Sequence, residues 1–129
     1  MNSVLLAVNG TLMREFPLNQ NLLEVNAVFI SQSMTSAKYR LWSIGDQYPG
    51  MLRDDENGQN IELEIWELSP EALVAILKKE PTGLCIGKIE LASGEMVFGV
   101  LAEPYIAANQ REITEFGSWR KYINNVNHE

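Results

Sequence analysis

The sequence predicts an α+β fold. Segments patterned as strands outnumber those patterned as helices. The clear helical patterns come late and stand apart, where a doubly wound sheet would alternate them with strands. At 129 residues, with 46% hydrophobic and 21% charged, the chain fits one domain over residues 1–129. It is long enough to bury a core without disulfides or metals.

The elements follow in chain order. Ser3–Val8 is a continuous apolar run and reads as a central strand. Pro17–Val25 mixes apolar and polar residues in a short helical pattern. Val28, Phe29 and Ile30 suggest a second strand, and Lys38–Ile44 ("KYRLWSI"), rich in aromatic and branched residues, a third. "GDQYPG", with its two glycines and a proline, reads as a loop. Asp54–Gly58 ("DDENG") carries an Asn-Gly pair, which predicts a hairpin joining Met51–Arg53 to Gln59–Leu68. In the second of those strands Ile61, Leu63 and Ile65 alternate with Glu62 and Glu64, so the glutamates are expected on a wet face.

Ser69-Pro70-Glu71 opens a helix, with serine as N-cap, proline at the first helical position and glutamate in the first turn. Leu73, Ile76 and Leu77 form its apolar stripe, and Pro81 ends it near Glu80. "LCIGKIEL" and "MVFGVLAE" flank the turn "ASGE" as a hairpin. "EITEFGSWRKYINNV" is expected as one C-terminal helix capped by Thr114, with Trp119, Tyr122 and Ile123 inward.

The net charge is −7 and no basic run occurs, which sets nucleic acid aside as a partner. No apolar run approaches a membrane span, and the N-terminus lacks a basic leader pattern, so a cytoplasmic protein without membrane association is expected. Cys85 is the only cysteine and reads as a core thiol. His128 is the only histidine. A zinc site and a Ser-His-Asp or Cys-His machine are therefore not expected, and no metal or cofactor is.

Two places could carry chemistry. Asn9-Gly10-Thr11 follows the first strand, where backbone N–H groups can converge on an anion and Gly10 permits close approach. The same residues also serve ordinary turns. Glu80 ends a helix, where the dipole disfavours a carboxylate. A raised pKa suited to a general base is one reason for it, and a solvated glutamate beside Lys78 and Lys79 is the other. Tyr39 and Arg40 are neighbours in a strand and so face opposite sides. One packs and one is exposed, and an arginine there could grip a ligand carboxylate. Asp46 and Tyr48 read as turn residues, and Trp119 with Arg120 as core plus surface.

"NGTLM" resembles the glycine loop of the γ-glutamylcyclotransferase-like fold, which usually reads Tyr-Gly-Ser/Thr-Leu. "YPGM", "ELEIWELSPEAL" and "LKKE" resemble later landmarks of that superfamily. More specifically, "NGTLMREFPLNQNL", "AKYRLWSIGDQYPGM", "EPTGLCIGKIEL" and "EITEFGSWRKYI" resemble, in order, the C-terminal domain of allophanate hydrolase and its free-standing relatives. The resemblance implies a compact mixed β-barrel flanked by helices, with a pocket between the glycine loop and Glu80. In cyclotransferases the loop amides hold the substrate while a glutamate takes a proton from its α-amine, and Glu80 falls where that glutamate is expected. Asn9 stands where the loop tyrosine is usual, and Leu12 where allophanate hydrolase has a histidine.

The expected function is a small-molecule enzyme or binder acting on a carboxylate, carbamate or γ-glutamyl amide. Asn9, Gly10, Thr11, Leu12 and Met13 would hold the charged group, Tyr39 or Arg40 its far end, and Glu80 would be the general acid/base. The competing expectation is a non-catalytic module that binds or assembles with another protein, with a homodimer as one form.

Overall fold

A computed structural model describes residues 2–128. Its strands are β1 (Val4–Val8), β2 (Val28–Met34), β3 (Tyr39–Ile44), β4 (Tyr48–Arg53), β5 (Glu62–Leu68), β6 (Leu84–Glu90), β7 (Met96–Ala102) and β8 (Arg111–Glu112). The helices are α1 (Asn19–Glu24), α2 (Pro70–Lys79), α3 (Pro104–Ala107) and α4 (Trp119–Asn127), with a 3-10 turn at Thr114–Phe116. The class is α+β, as expected. A five-stranded sheet has the order β2-β5-β1-β7-β6, and a three-stranded sheet the order β4-β3-β8.

Neither sheet closes into the barrel that the resemblance implied. Among the described residues, the outer strands β2 and β6 are linked by the single bridge Thr35↔Leu91. Beside it Ala92 N–H donates to Met34 O and Ser36 N–H to Glu90 O, both at 2.9 Å. The five-stranded sheet therefore curls at one end and stays open along the rest of its edges.

β1 is central, antiparallel to β5 and parallel to β7. Leu6, Ala7 and Val8 are almost fully buried. Burial on both faces is why this strand reads as a continuous apolar run. α2 forms where expected: Ser69 Oγ accepts the Ala72 N–H at 3.1 Å, Pro70 opens the first turn, and Glu80 is the C-cap. β6 and β7 make the expected hairpin, in register from Leu84↔Ala102 to Glu90↔Met96.

Three expectations are corrected. The Asn-Gly pair does not make a hairpin. β4 begins earlier, at Tyr48, and pairs with β3 through a turn in which Gly45 and Asp46 take φ of +58° and +59°. β5 crosses to the other sheet and pairs with β1 and β2. The segment between them instead folds on Asp54, whose carboxylate accepts the N–H groups of Glu56 and Asn57 at 3.1 and 3.0 Å. Gly58 lies against β3 so closely that a Cβ would stand 2.3 Å from Tyr39 N. The glycine serves that backbone contact.

The glutamates of β5 do not share a wet face. Glu64 is 1% exposed, because Arg14 reaches it from the segment after β1, Arg120 from α4, and Trp66 from two residues along β5 itself. Glu62 is half-buried and accepts from Ser118 Oγ at 2.5 Å and from Gln32.

The C-terminal segment is not one helix capped by Thr114. Thr114 begins the 3-10 turn, and its Oγ1 accepts the Leu41 N–H at 2.8 Å. Gly117 then takes φ of +64°, and Ser118 caps α4 by accepting the Lys121 N–H at 3.2 Å. Trp119 and Tyr122 are buried as expected.

Candidate functional site

The candidate pocket forms where β1 ends. Asn9, Gly10, Thr11 and Leu12 line one side, Glu80 and Leu84 another, and Tyr48, Pro49, Val8 and Val100 the rest. Its empty volume is about 250 Å³, mouth included. The space enclosed within it is about 20 Å³, room for about one water molecule, so a ligand would enter through the open mouth with only the tip of a polar group inside. The two places singled out in the sequence, the glycine loop and Glu80, therefore share one cavity.

The loop is shaped by its own hydrogen bonds. Met13 N–H donates to Gly10 O at 3.0 Å, Leu18 N–H to Thr11 O at 3.1 Å, and Asn19 Nδ2 to Leu12 O at 2.8 Å. Among the described residues no loop carbonyl takes the amides of Gly10, Thr11 or Leu12. Gly10 is needed for close approach, but the neighbour is protein. A Cβ there would stand 2.4 Å from Pro49 Cδ, so the pocket wall made by β4 presses on the loop.

Glu80 is half-buried at the C-cap of α2, and its own N–H donates to Leu77 O at 3.2 Å. Burial pushes its carboxyl up to about 6 from the ordinary 4.5, because a desolvated carboxylate is disfavoured relative to its acid. The turn after it is clasped. Leu84 N–H donates to Pro81 O at 3.2 Å, and Glu103 N–H to Gly83 O at 2.8 Å. Gly83 takes φ of +98°, and a Cβ there would meet Ile106 Cγ2 at 2.2 Å. The loop residues and Glu80 thus line one cavity, and a carboxyl lifted by burial exchanges its proton closer to neutral pH than a solvated one does.

Some expected residues lie outside the pocket lining. Met13 is fully buried and its amide is used by the turn. Tyr39 is the inward residue of its pair, 1% exposed, and its hydroxyl accepts the Glu90 N–H at 2.9 Å. Arg40 is the outward one. It is fully engaged, with two bonds to Glu112 at 2.8 and 2.6 Å and one to Asp54 at 3.1 Å. These bonds hold its guanidinium charged well above the usual range. Asn9 lines the pocket, and its Nδ2 is held by the fold, donating to Val100 O at 3.0 Å.

Sequence reasoning missed Tyr48 and Pro49 as pocket walls. The signal available was the short spacing of "YPG" after the β3 strand, which places both on β4 once the turn at Gly45-Asp46 is recognised. Asp46 itself anchors α4, accepting from Ser43 Oγ and Tyr122 Oη, both at 2.6 Å. Those two hydroxyls hold its carboxyl below the ordinary value.

Comparison with known proteins gives a consistent picture. The chain is 35% identical to urea amidolyase of Saccharomyces cerevisiae over 128 residues, which covers 94% of this chain and 7% of that protein. A uropathogenic E. coli-specific protein of known structure is 52% identical with a TM-score of 0.94, covering 96% of this chain and 98% of that one. Kluyveromyces lactis allophanate hydrolase is 32% identical with a TM-score of 0.91, covering 98% of this chain and 22% of that one. A likeness of fold alone extends to a gamma-glutamyl cyclotransferase, with a TM-score of 0.55 at 12% identity over 86% of this chain and 70% of that one. Residues 4–124 match the allophanate hydrolase C-terminal domain, and the chain belongs to that family.

Proposed function

We propose that the chain binds a small carboxylate-, carbamate- or amide-bearing metabolite in this pocket, with Glu80 as general acid/base. One observation carries the reading: a glycine loop with amides free of loop carbonyls and a desolvated carboxyl line the same narrow cavity. The amides of Gly10, Thr11 and Leu12 would hold the ligand's anionic or carbonyl oxygen. Glu80 would take a proton from a nearby amine or amide nitrogen and return it to the leaving group. The names of two relatives, urea amidolyase and allophanate hydrolase, concern small amide compounds, and this is the chemical class the proposal takes for the ligand. The proposed step uses no metal and no cofactor.

The test is a melting shift with malonate and with 5-oxoproline, followed by a screen of γ-glutamyl amides and carbamates for release of ammonia or amine. Glu80→Gln is expected to abolish turnover in a folded protein. A well-folded sample that shows no shift with either carboxylate, or a glutamine variant with full activity, removes this reading.

A second reading, a non-catalytic assembly module, is favoured by a different observation. Val28, Ile30 and Met34 on the edge strand β2 are 55%, 48% and 43% exposed. The domain also spans only 7% of the urea amidolyase it matches. Sedimentation at micromolar concentration separates the two: a homodimer broken by Ile30→Lys, without any ligand shift, favours assembly.

A further inference from the structure

Glu64 is the most buried charged group described, with 1% of its side chain exposed. A carboxylate in that position is tolerated only when donors surround it. Arg14 N–H donates to its Oε1 at 3.0 Å and Arg14 Nε to its Oε2 at 3.1 Å. Trp66 Nε1 donates to Oε1 at 3.1 Å, and Arg120 Nη2 to Oε2 at 3.3 Å. Arg14 is the residue that follows the Gly10–Met13 loop. Its carbonyl is tied as well, accepting from Arg120 Nη2 at 3.1 Å. The loop's exit is thus bolted on one side to β5 and on the other to α4.

Two further contacts hold this anchor. The Arg14 guanidinium lies 3.7 Å from the centroid of the Phe29 ring on β2. Glu15 takes φ of +76°, a conformation that costs a non-glycine residue energy and persists where flanking groups are pinned. Arg120 Nη1 pins it by donating to Glu15 Oε1 at 2.8 Å. An apolar side chain at residue 64 would fill the space and avoid the desolvation of a charge. It could not grip a main-chain N–H of the loop.

We propose that Glu64 is a positioning residue for the pocket: through Arg14, and with Arg120 as a second arm, it sets where the Gly10–Leu12 amides stand relative to Glu80. The proposal rests on reading the pocket as a ligand site.

The experiment is hydrogen–deuterium exchange resolved by residue, on the whole chain, with malonate titration alongside. The amides of Met13, Phe16 and Leu18 are bonded within the loop segment and report its position. In Glu64→Gln these three are expected to exchange about tenfold faster, while those of β1 and β7 change less than about twofold. Malonate binding should weaken about fivefold or more in the same variant. Unchanged loop amides overturn the proposal. So does equal acceleration across β1 and β7, which signals general loss of stability. If Glu64→Gln does not fold, Arg120→Gln, altered at the half-buried arm, should accelerate the loop amides about threefold, and no acceleration there overturns the proposal equally. Selective acceleration in a protein whose unsubstituted form binds no malonate supports the anchoring and counts against the ligand reading.

Discussion

The carboxyl of Glu80 lends itself to a direct energetic test through Glu80→Gln. Burial lifts it from 4.5 to about 6, so between those values the folded chain holds a proton that the unfolded chain has released. The stabilisation from this proton is fully present below pH 4.5 and is lost as pH rises through about 6. Above that window the ionised group is a net cost. The gap corresponds to about 2 kcal/mol, and solvent at the pocket mouth reduces it to about 1–2 kcal/mol. Glutamine keeps the shape and removes the charge. At pH 8 the variant should therefore be more stable by about 1–2 kcal/mol, a rise in Tm of roughly 3–6 °C for a chain of this size. At pH 4.5 the two proteins should melt within about 1 °C of each other. Thermal unfolding of both proteins at the two pH values is the assay. A variant no more stable at pH 8, or a difference that does not depend on pH, would refute the claim that Glu80 is held in a desolvated pocket. A stabilised variant that has lost turnover would also have the signature of a functional carboxyl kept at the expense of stability.

Gly10→Ala puts a methyl 2.4 Å from Pro49 Cδ, and a loss of about 1–3 kcal/mol is expected in urea unfolding; Pro49→Ala in the same chain should restore part of it, since the clashing ring atoms go. Gly83→Ala combines φ of +98° with a 2.2 Å approach to Ile106, so a loss of at least about 2 kcal/mol is expected, with weaker malonate binding because the turn after Glu80 shifts. Ser118→Ala removes the cap of α4 and the bond to Glu62 and should cost about 1–2 kcal/mol in thermal unfolding, while leaving malonate affinity within about twofold.

Much of the local structure was legible. The Ser69-Pro70 start of α2, the Pro81 stop, the β6–β7 hairpin and the central β1 each rest on chemistry within a few residues: a side-chain cap, a missing N–H, a turn glycine, an unbroken apolar run. The errors came where a local rule met a distant partner. Asn57-Gly58 carries a strong hairpin signal, yet Gly58 is packed on the backbone of β3. Glu64 alternates like a solvated residue, yet Arg14 and Arg120 arrive from 50 and 56 residues away. Thr114 has cap chemistry, but it is engaged by β3, and Ser118 caps instead.

The site divides along the same line. Sequence alone determined that a glycine-bearing turn follows the first strand and that an acid stands at the end of α2, because turn and helix boundaries are written in adjacent residues. That the two share a cavity was implied only by the family resemblance and by no residue pattern, and nothing in the sequence indicated that Tyr48 and Pro49 wall it or that Arg40 is consumed by Glu112 and Asp54. Those outcomes depend on how the open sheets curl and which strands become neighbours. Burial, which lifts the Glu80 carboxyl, is a property of the assembled surroundings and not of the residue, so only the tertiary structure could decide it.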